Sequence, residues 1–332
     1  MNRDTLIFIV CSYGAMLLGI CLPQFGEPLR HLLTMMLMVQ LLLCFLDTGA
    51  PDAVASTADV AGLPAFLGIK MLLTPLICWG IFALILPRYA LGAILMGGVS
   101  IGVTAPFFGR LARADVTFII AGVVASCLIL PLTMPVLVVS YLYAAGQEAG
   151  SELWAAFFKT GLALALYIFV PFAVARGMWK TAPALAKGIL NRRYVISVSS
   201  IACCMFVIFS RFSTPLRANP FMVAEALAGA FVLAVIFLGV GIFAGRGMSA
   251  ARSVACAVSM GTANNGLVLI LSAQLFGLPE VLVTAMYSVP LFLLLIPYQR
   301  YAAWKENGRR PDPYHGAKKK RRSDNDPQRK ML

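Results

Sequence analysis

The stretch SMGTANNGL, Ser259–Leu267, inserts a group of small and polar residues into an otherwise apolar run of the chain. An earlier stretch, VSIGVTAPFFG, Val99–Gly109, has nearly the same order of residue types. Ser-x-Gly-Thr-Ala-Asn in the later cluster corresponds to Ser-x-Gly-x-Thr-Ala-Pro in the earlier one. The matching order indicates an internal repeat, and the segments around the two clusters decide how that repeat folds.

The composition is typical of a membrane protein. Of the 332 residues, 60% are hydrophobic and only 12% are charged, and the mean hydropathy is +0.85. A helix needs about 20 mostly apolar residues to cross a bilayer. By this measure the sequence predicts an all-α membrane protein with ten membrane-spanning helices. The ten predicted spans are residues 5–22, 30–47, 64–87, 89–111, 116–143, 153–175, 192–212, 222–246, 250–276 and 280–301.

The two clusters fall in predicted spans 4 and 9, which are five spans apart. Because five is odd, the second copy of a five-helix unit enters the membrane in the opposite direction. We therefore predict two inverted five-helix repeats, residues 1–143 and residues 144–304, with helices 4 and 9 discontinuous and crossed. Inverted repeats of this kind are typical of secondary transporters, whose substrates bind near the midplane where helices are interrupted.

The residue types of the two clusters suit a pair of interrupted helices. Gly102 and Gly261 permit a close approach of backbones, and Pro106 removes a backbone donor. Asn264 and Asn265 offer both donors and acceptors to unpaired backbone groups. Small residues in membrane helices also serve plain helix packing, which is the alternative interpretation. The substrate- and ion-binding residues predicted from the clusters are Ser100, Thr104, Pro106, Ser259, Thr262, Asn264 and Asn265.

The loop charges predict the orientation. Nine Lys and Arg residues lie in loops on the side of the termini and four in the opposite loops, which places both termini in the cytoplasm. The nine are Arg110, Arg113, Arg176, Lys180, Lys187, Arg192, Arg193, Arg246 and Arg252. Residues 305–332 form a basic tail with KKKRR at 318–322, which we expect to be disordered and to lie near anionic lipid. No folded basic surface accompanies the tail, so nucleic acid is not an expected partner.

The segment LARADVTFIIAGVVASCLILPLTMP, Leu111–Pro135, resembles a region of the bile acid:sodium symporter family and of its wider bile-arsenite-riboflavin transporter superfamily. That family has a Leu-Ala-x-Gly-Asp junction before a span that ends in Pro-Leu-x-x-Pro. GTANNGLVL, Gly261–Leu269, is similar to the Gly-x-x-Asn-x-Gly-Leu core of its ninth helix. The resemblance implies a core of spans 3–5 and 8–10. It also implies a panel of spans 1, 2, 6 and 7 that moves against the core to give alternating access.

The sodium ligands that the resemblance implies are replaced in this chain. The positions that match the family's side-chain ligands hold Ala105, Pro106, Ile119, Val123, Ser259 and Ala263. Sodium requires several oxygen ligands, and the Ala, Pro, Ile and Val side chains supply none. We therefore do not expect a two-sodium mechanism.

Lys70 stands where the family's third helix carries a glutamine, five residues before Pro75. A charge inside a membrane span is costly, so we predict that the Lys70 ammonium takes the place of a sodium ion. Such a group can also release and take up a proton in each cycle. The alternative is that the side chain extends to the cytoplasmic interface.

These observations predict a secondary transporter of a small organic anion, either proton-coupled or facilitative, in a bacterial inner membrane. The alternatives are a sodium-dependent symporter and a non-transporting sensor on the same fold. Arsenite carriers of the superfamily have a cysteine where Val103 precedes Thr104 and Ala105, which argues against arsenite. The spans hold no nucleophile–base pair and no metal-ligand spacing, so the sequence predicts no enzyme activity, cofactor or metal.

Overall fold

The computed structural model describes residues 3–26, 28–48, 61–146 and 169–307. In these ranges the chain is helical, apart from short turns and one isolated antiparallel β-bridge. The helices are α1 (Arg3–Cys21), α2 (Arg30–Thr48), α3 (Leu63–Ile85), α4 (Ala90–Gly98), α5 (Ala105–Leu111), α6 (Val116–Ala144), α7 (169–181), α8 (Pro183–Asn191), α9 (Arg193–Arg211), α10 (Ser213–Ala218), α11 (Pro220–Ala244), α12 (Ala250–Gly261), α13 (Asn265–Leu275), α14 (Leu278–Leu293) and α15 (Leu295–Asn307).

Five of these helices, α1, α3, α6, α9 and α11, are long and apolar enough to cross a membrane. The pair α14 and α15, bent by 40°, adds a sixth if it forms one span. Every predicted span overlaps a helix or an interrupted pair of helices, as far as the structure describes the chain. The start of predicted span 153–175 and the basic tail beyond Asn307 lie outside the described residues. The ten-span inverted repeat and its division at residue 143 stay predictions.

Helix α3 contains one widened turn. Residues Ile69–Leu73 form a π-helical turn in which both the backbone N–H and the hydroxyl of Thr74 bond to the carbonyl of Ile69. Pro75, which follows, has no N–H to give to the preceding turn. Such turns occur frequently at functional sites. Here the turn carries Lys70 on the buried face of the helix.

The described helices pack in two groups. In the first group, α1 and α2 both pack along α9. In the second group, α11 packs on α12 and α14, α3 and α6 pack on α4, and α13 packs on α14. The groups meet through Phe8 of α1, whose ring makes edge contacts with Phe107 and Phe108 of α5 and Phe292 of α14. The first group contains predicted spans 1, 2 and 7, and the panel and core that the family resemblance implies stay a prediction.

Both polar clusters interrupt a helix, as the sequence predicts. The chain leaves helical geometry after Gly98 and resumes it at Ala105, and it does the same between Gly261 and Asn265. Pro106 lies in the first turn of α5, where a missing N–H leaves no hydrogen bond unmade. The proline therefore starts the second half-helix as well as preventing a continuous one.

Candidate functional site

The two interruptions pair with each other through their backbones. The N–H of Gly102 donates to the carbonyl of Thr262 at 2.6 Å, and the N–H of Asn264 donates to the carbonyl of Ser100 at 3.0 Å. Together these bonds form an antiparallel bridge between Ile101 and Ala263. Backbone groups released by helix breaks must find partners inside an apolar medium. The crossing supplies those partners from the opposite break.

Close approach at the crossing requires glycine at position 102. A Cβ atom there would lie 2.7 Å from the carbonyl oxygen of Ala263 and 2.8 Å from that of Thr262. Both atoms belong to the backbone, so neither can move aside as a flexible side chain would. Gly102 is therefore a packing requirement of the crossing.

Side chains of neighbouring helices brace the crossing. The N–H of Ile101 donates to Ser126 Oγ of α6 at 3.0 Å. Asn265 Nδ2 donates to Ser288 Oγ of α14 at 2.7 Å. Asn265 Oδ1 is buried and has no hydrogen-bond partner in the described part of the chain. One acceptor at the start of α13 is thus available to a donor group.

A cavity of about 50 Å³ lies between the crossing and the first group of helices. Its walls come from α2 (Leu33, Leu37, Gln40), α9 (Ile201, Cys204, Met205, Ile208), α14 (Leu291, Phe292), the first interruption (102–104), and the second interruption with the start of α13 (263–266). This volume holds a few water molecules and no large ligand. Of the described residues that line the cavity, none is charged, and the polar ones concentrate on the side of the crossing.

The cavity brings together three of the predicted site residues. Thr104, Asn264 and Asn265 all line it, although they come from opposite halves of the chain. Thr104 precedes the first residue of α5, and Asn264 precedes the first residue of α13. The positive ends of two half-helices therefore lie at the same cavity.

The other predicted cluster residues lie elsewhere. Ser100 and Thr262 are buried in the crossing, where the Thr262 hydroxyl bonds to the carbonyl of Val258 at 2.5 Å. Pro106 is buried in the first turn of α5. Ser259 is buried in the last turn of α12, and its hydroxyl has no hydrogen-bond partner among the described residues. None of these four residues lines the cavity.

The site residues predicted from the sequence do not include Gln40 or the apolar residues of α2, α9 and α14 that line the cavity. Gln40 lines the cavity, is 3% exposed and donates through Nε2 to the carbonyl of Ser197 at 3.0 Å. A signal for it exists, because Leu33, Leu37 and Gln40 recur at helical spacing on one face of α2. The spacing alone did not indicate which partner that face packs against.

Lys70 of α3 is fully buried, and its ammonium lies against the C-terminal end of α4. Its Nζ donates to the carbonyl of Gly97 at 2.9 Å and lies 5.3 Å from the ring centroid of Phe237. The side chain therefore points inward and does not extend to the interface. No carboxylate in the described ranges pairs with it. The negative end of the α4 dipole and the ring face offset part of the cost of burying this ammonium.

A sodium ion does not fit the residues at the positions that the family resemblance implies. Ala105, Ile119, Val123 and Ala263 are buried, apolar and at most 2% exposed. Their side chains offer no oxygen, and a carbonyl at the end of α4 already holds the Lys70 ammonium. The side chains at these positions therefore do not provide the oxygen ligands that sodium requires.

The comparisons with known proteins identify a family. No curated protein matches the chain. The model of the sodium bile acid symporter family matches residues 31–216, more than half of the chain. This match covers the first interrupted helix, Lys70 and the residues of α2 and α9 that line the cavity. The chain belongs to the sodium bile acid symporter family, a family of multi-pass membrane transporters.

Proposed function

We propose that this protein is a secondary transporter that moves a small organic anion across the membrane by alternating access, without coupling to sodium. The observation that carries the proposal is the crossing of two interrupted helices against a cavity whose opposite wall belongs to a separately packed group. Interrupted helices of this kind form midplane substrate sites in secondary transporters.

The small size of the cavity supports movement of its walls. At about 50 Å³ it admits a few waters, so a larger organic molecule enters only when α2 and α9 separate from the crossing. The two groups share aromatic and ionic contacts at their boundary, and each packs mainly within itself. Rocking of one group against the other would open the cavity to one side at a time.

The polarity of the cavity favours a small anion with an apolar body. The N-terminal ends of α5 and α13, together with the amides of Asn264 and Asn265, supply donors and partial positive charge on one side. The side formed by α2 and α9 is apolar except for Gln40. An anionic head would lie at the crossing, and an apolar remainder would lie against the panel.

Lys70 supports independence from sodium. Its ammonium bonds to a carbonyl at the end of a half-helix, where cations bind in transporters with interrupted helices. Energy for transport would then come from a proton or from the substrate gradient alone. Ser259, at one of the positions that match the family's side-chain ligands, adds no negative charge to balance that of a sodium ion.

The proposal includes an arrangement of ten spans as two inverted repeats, with both termini in the cytoplasm of a bacterial inner membrane. The basic tail, with KKKRR at 318–322, would rest on anionic lipid of that face. Tyr301 and Trp304 stack near Lys305 at the end of α15, which agrees with a membrane interface at this helix end, since aromatic residues concentrate at both interfaces.

The experiment that tests the proposal is uptake of radiolabelled small carboxylates into proteoliposomes. Uptake is measured with sodium inside and outside, with choline in place of sodium, and with an imposed proton gradient. We expect uptake of at least one carboxylate above empty liposomes, at the same rate in sodium and choline. Binding without flux would favour the sensor alternative, and uptake that requires sodium would favour the sodium-dependent symporter.

A further inference from the structure

The end of α4 leaves the carbonyl of Gly97 without its helical partner. In a continuous helix, the carbonyl of Gly97 would accept from the N–H of Ile101, four residues on. That N–H donates to Ser126 Oγ instead. Lys70 Nζ takes the vacated position at 2.9 Å. A buried side-chain donor thus replaces the missing backbone bond.

The end of α12 repeats this arrangement with a different donor. The helical partner of the Gly261 carbonyl would be the N–H of Asn265, which donates to the carbonyl of Ala263 instead. The hydroxyl of Tyr287, fully buried on α14, donates to the Gly261 carbonyl at 2.6 Å. Tyr298 packs against the same glycine, where a Cβ would collide with its hydroxyl.

One aromatic ring connects the two donors. The centroid of Phe237 on α11 is 5.3 Å from Lys70 Nζ and 5.6 Å from the ring centroid of Tyr287. All three side chains are fully buried. Lys70, Phe237 and Tyr287 therefore form a continuous bridge from the end of one half-helix to the end of the other. We refer to these three residues as the cap bridge.

We propose that Tyr287 is a positioning residue that closes the second half-helix end to cations, as Lys70 closes the first. The cap bridge then keeps the two interruptions hydrogen-bonded to each other at the crossing with no coupling cation bound. This inference rests on the proposed function, because it concerns why that transport would not depend on sodium. It assigns a role to a residue of α14 that neither polar cluster contains.

The physical basis is the charge of a helix end. Carbonyls at the C-terminus of a half-helix carry partial negative charge and attract a cation or a donor. In an apolar interior, an unpaired carbonyl is costly, so some group must satisfy it. Removing only the Tyr287 hydroxyl leaves the ring in place and exposes the Gly261 carbonyl to whichever small cation can reach it.

The test is the thermal melting of purified full-length Tyr287→Phe protein in detergent, with sodium chloride replaced stepwise by choline chloride at constant ionic strength. Tyr13→Phe is the matched control. Tyr13 also donates its hydroxyl to a carbonyl at 2.6 Å, that of Val289, which lies inside α14 and belongs to neither break. A third variant, Phe237→Leu, removes the ring between Lys70 and Tyr287 and keeps both hydrogen-bond donors.

We expect Tyr287→Phe to melt lower than wild type in choline and to regain stability in sodium. For wild type, Tyr13→Phe and Phe237→Leu, the melting temperature of each protein should be the same in sodium as in choline. If Tyr287→Phe does not survive purification in choline, its yield after solubilisation in each salt gives the same comparison. Recovery in sodium alone then supports the inference, and equal loss in both salts overturns it.

Two results overturn the inference in different ways. In the first, the melting temperature of Tyr287→Phe is lowered equally in both salts, and that of wild type does not depend on sodium. This result overturns only the role of Tyr287. The proposed function survives that result. A wild type that sodium itself stabilises overturns the sodium independence of the proposed function, and this inference falls with it.

Discussion

At the scale of single residues, Gly102 carries the most specific requirement of the crossing. Its backbone donates to the carbonyl of Thr262 at 2.6 Å, and its missing side chain leaves room for the carbonyl of Ala263. The sequence predicts this role, because a glycine within a polar cluster of a membrane helix indicates close backbone approach. The consequence is measurable in a single substitution.

We predict that Gly102→Ala destabilises the protein by roughly 1–3 kcal/mol, since the added Cβ overpacks rigid backbone. Transport activity should be lost as well, because the paired breaks would separate. Gly80→Ala is the matched control, since a Cβ there meets no atom within 4 Å. Thermal melting and proteoliposome uptake check both variants. Unchanged melting of Gly102→Ala would contradict the close approach at the crossing.

Asn264 is the residue that tests the charge of the substrate. It lines the cavity before the first residue of α13, and Asn264→Asp changes its charge with little change of shape. We expect at least a tenfold loss of apparent affinity for an anion, which needs only about 1.4 kcal/mol of repulsion. Proteoliposome uptake at graded concentrations measures it. Asn191→Asp, on the exposed end of α8, should have no effect, and tighter anion uptake by Asn264→Asp would contradict an anionic substrate.

Single residues also mark where sequence reasoning stops. Lys70 could be identified because a lysine inside an apolar span is unusual. Gln40 could not be assigned to the site, because its helical face gives no information on which helix lies opposite. Ser259 matches a family ligand position in sequence, yet its side chain does not line the cavity. Residue type is visible in a sequence, but the direction of a side chain depends on packing.

At the scale of elements, an ionic cluster joins the two helix groups at one end. Asp47, near the end of α2, pairs with Arg110 of α5 and lies 3.3 Å from Arg193 of α9. The side chains of Asp47 and Arg110 are 20% and 24% exposed. Because α2 belongs to the first group and α5 packs on α6 and α12 of the second, separation of the groups at this end has to break the pair.

We predict that Asp47→Asn increases maleimide labelling of Cys44, which is buried one turn earlier on α2. Removing the carboxylate leaves Arg110 and Arg193 to repel each other. A pair that contributes about 1–1.4 kcal/mol gives a five- to tenfold rise in the open population. Mass spectrometry of the Cys44 peptide measures the labelling rate.

The control for this experiment removes an ion pair on the surface. Glu306→Gln removes the ion pair with Arg113, in which Arg113 Nη1 and Glu306 Oε2 are 3.8 Å apart. The side chain of Arg113 is 79% exposed and that of Glu306 is 52% exposed. Labelling of Cys44 should not change in this variant. An equal rate in Asp47→Asn and wild type would show that the cluster does not hold the groups together.

Many of the elements follow closely from the sequence. The two interruptions are visible as polar clusters, and hydrophobic length gives α1, α2, α3, α6, α9 and α11 within a few residues. The short helices α8 and α10 and the bend between α14 and α15 were not predicted. The π-helical turn at Ile69–Leu73 could not be predicted, because it depends on how α3 accommodates Pro75 against α4. The cavity walls depend on tertiary packing in the same way. Local signals determine where helices break, and packing determines what the breaks contact.

At the scale of the whole molecule, the central claim is that a member of a sodium symporter family works without sodium. The claim combines the apolar side chains at the family's ligand positions with an ammonium on the Gly97 carbonyl. Lys70→Gln restores the residue type that the family resemblance implies at this position. A cation that binds only the folded state raises its stability, by about 2.7 kcal/mol at a hundred times its dissociation constant.

The most direct measurement is therefore thermal melting of wild type and Lys70→Gln in sodium and in choline at equal ionic strength. Lys180→Gln, an exposed lysine of α7, is the control for loss of a positive charge. We predict that wild type and Lys180→Gln melt equally in the two salts, and that sodium stabilises Lys70→Gln alone. Specific stabilisation of wild type by sodium would contradict the account and make the protein a sodium-binding member of its family.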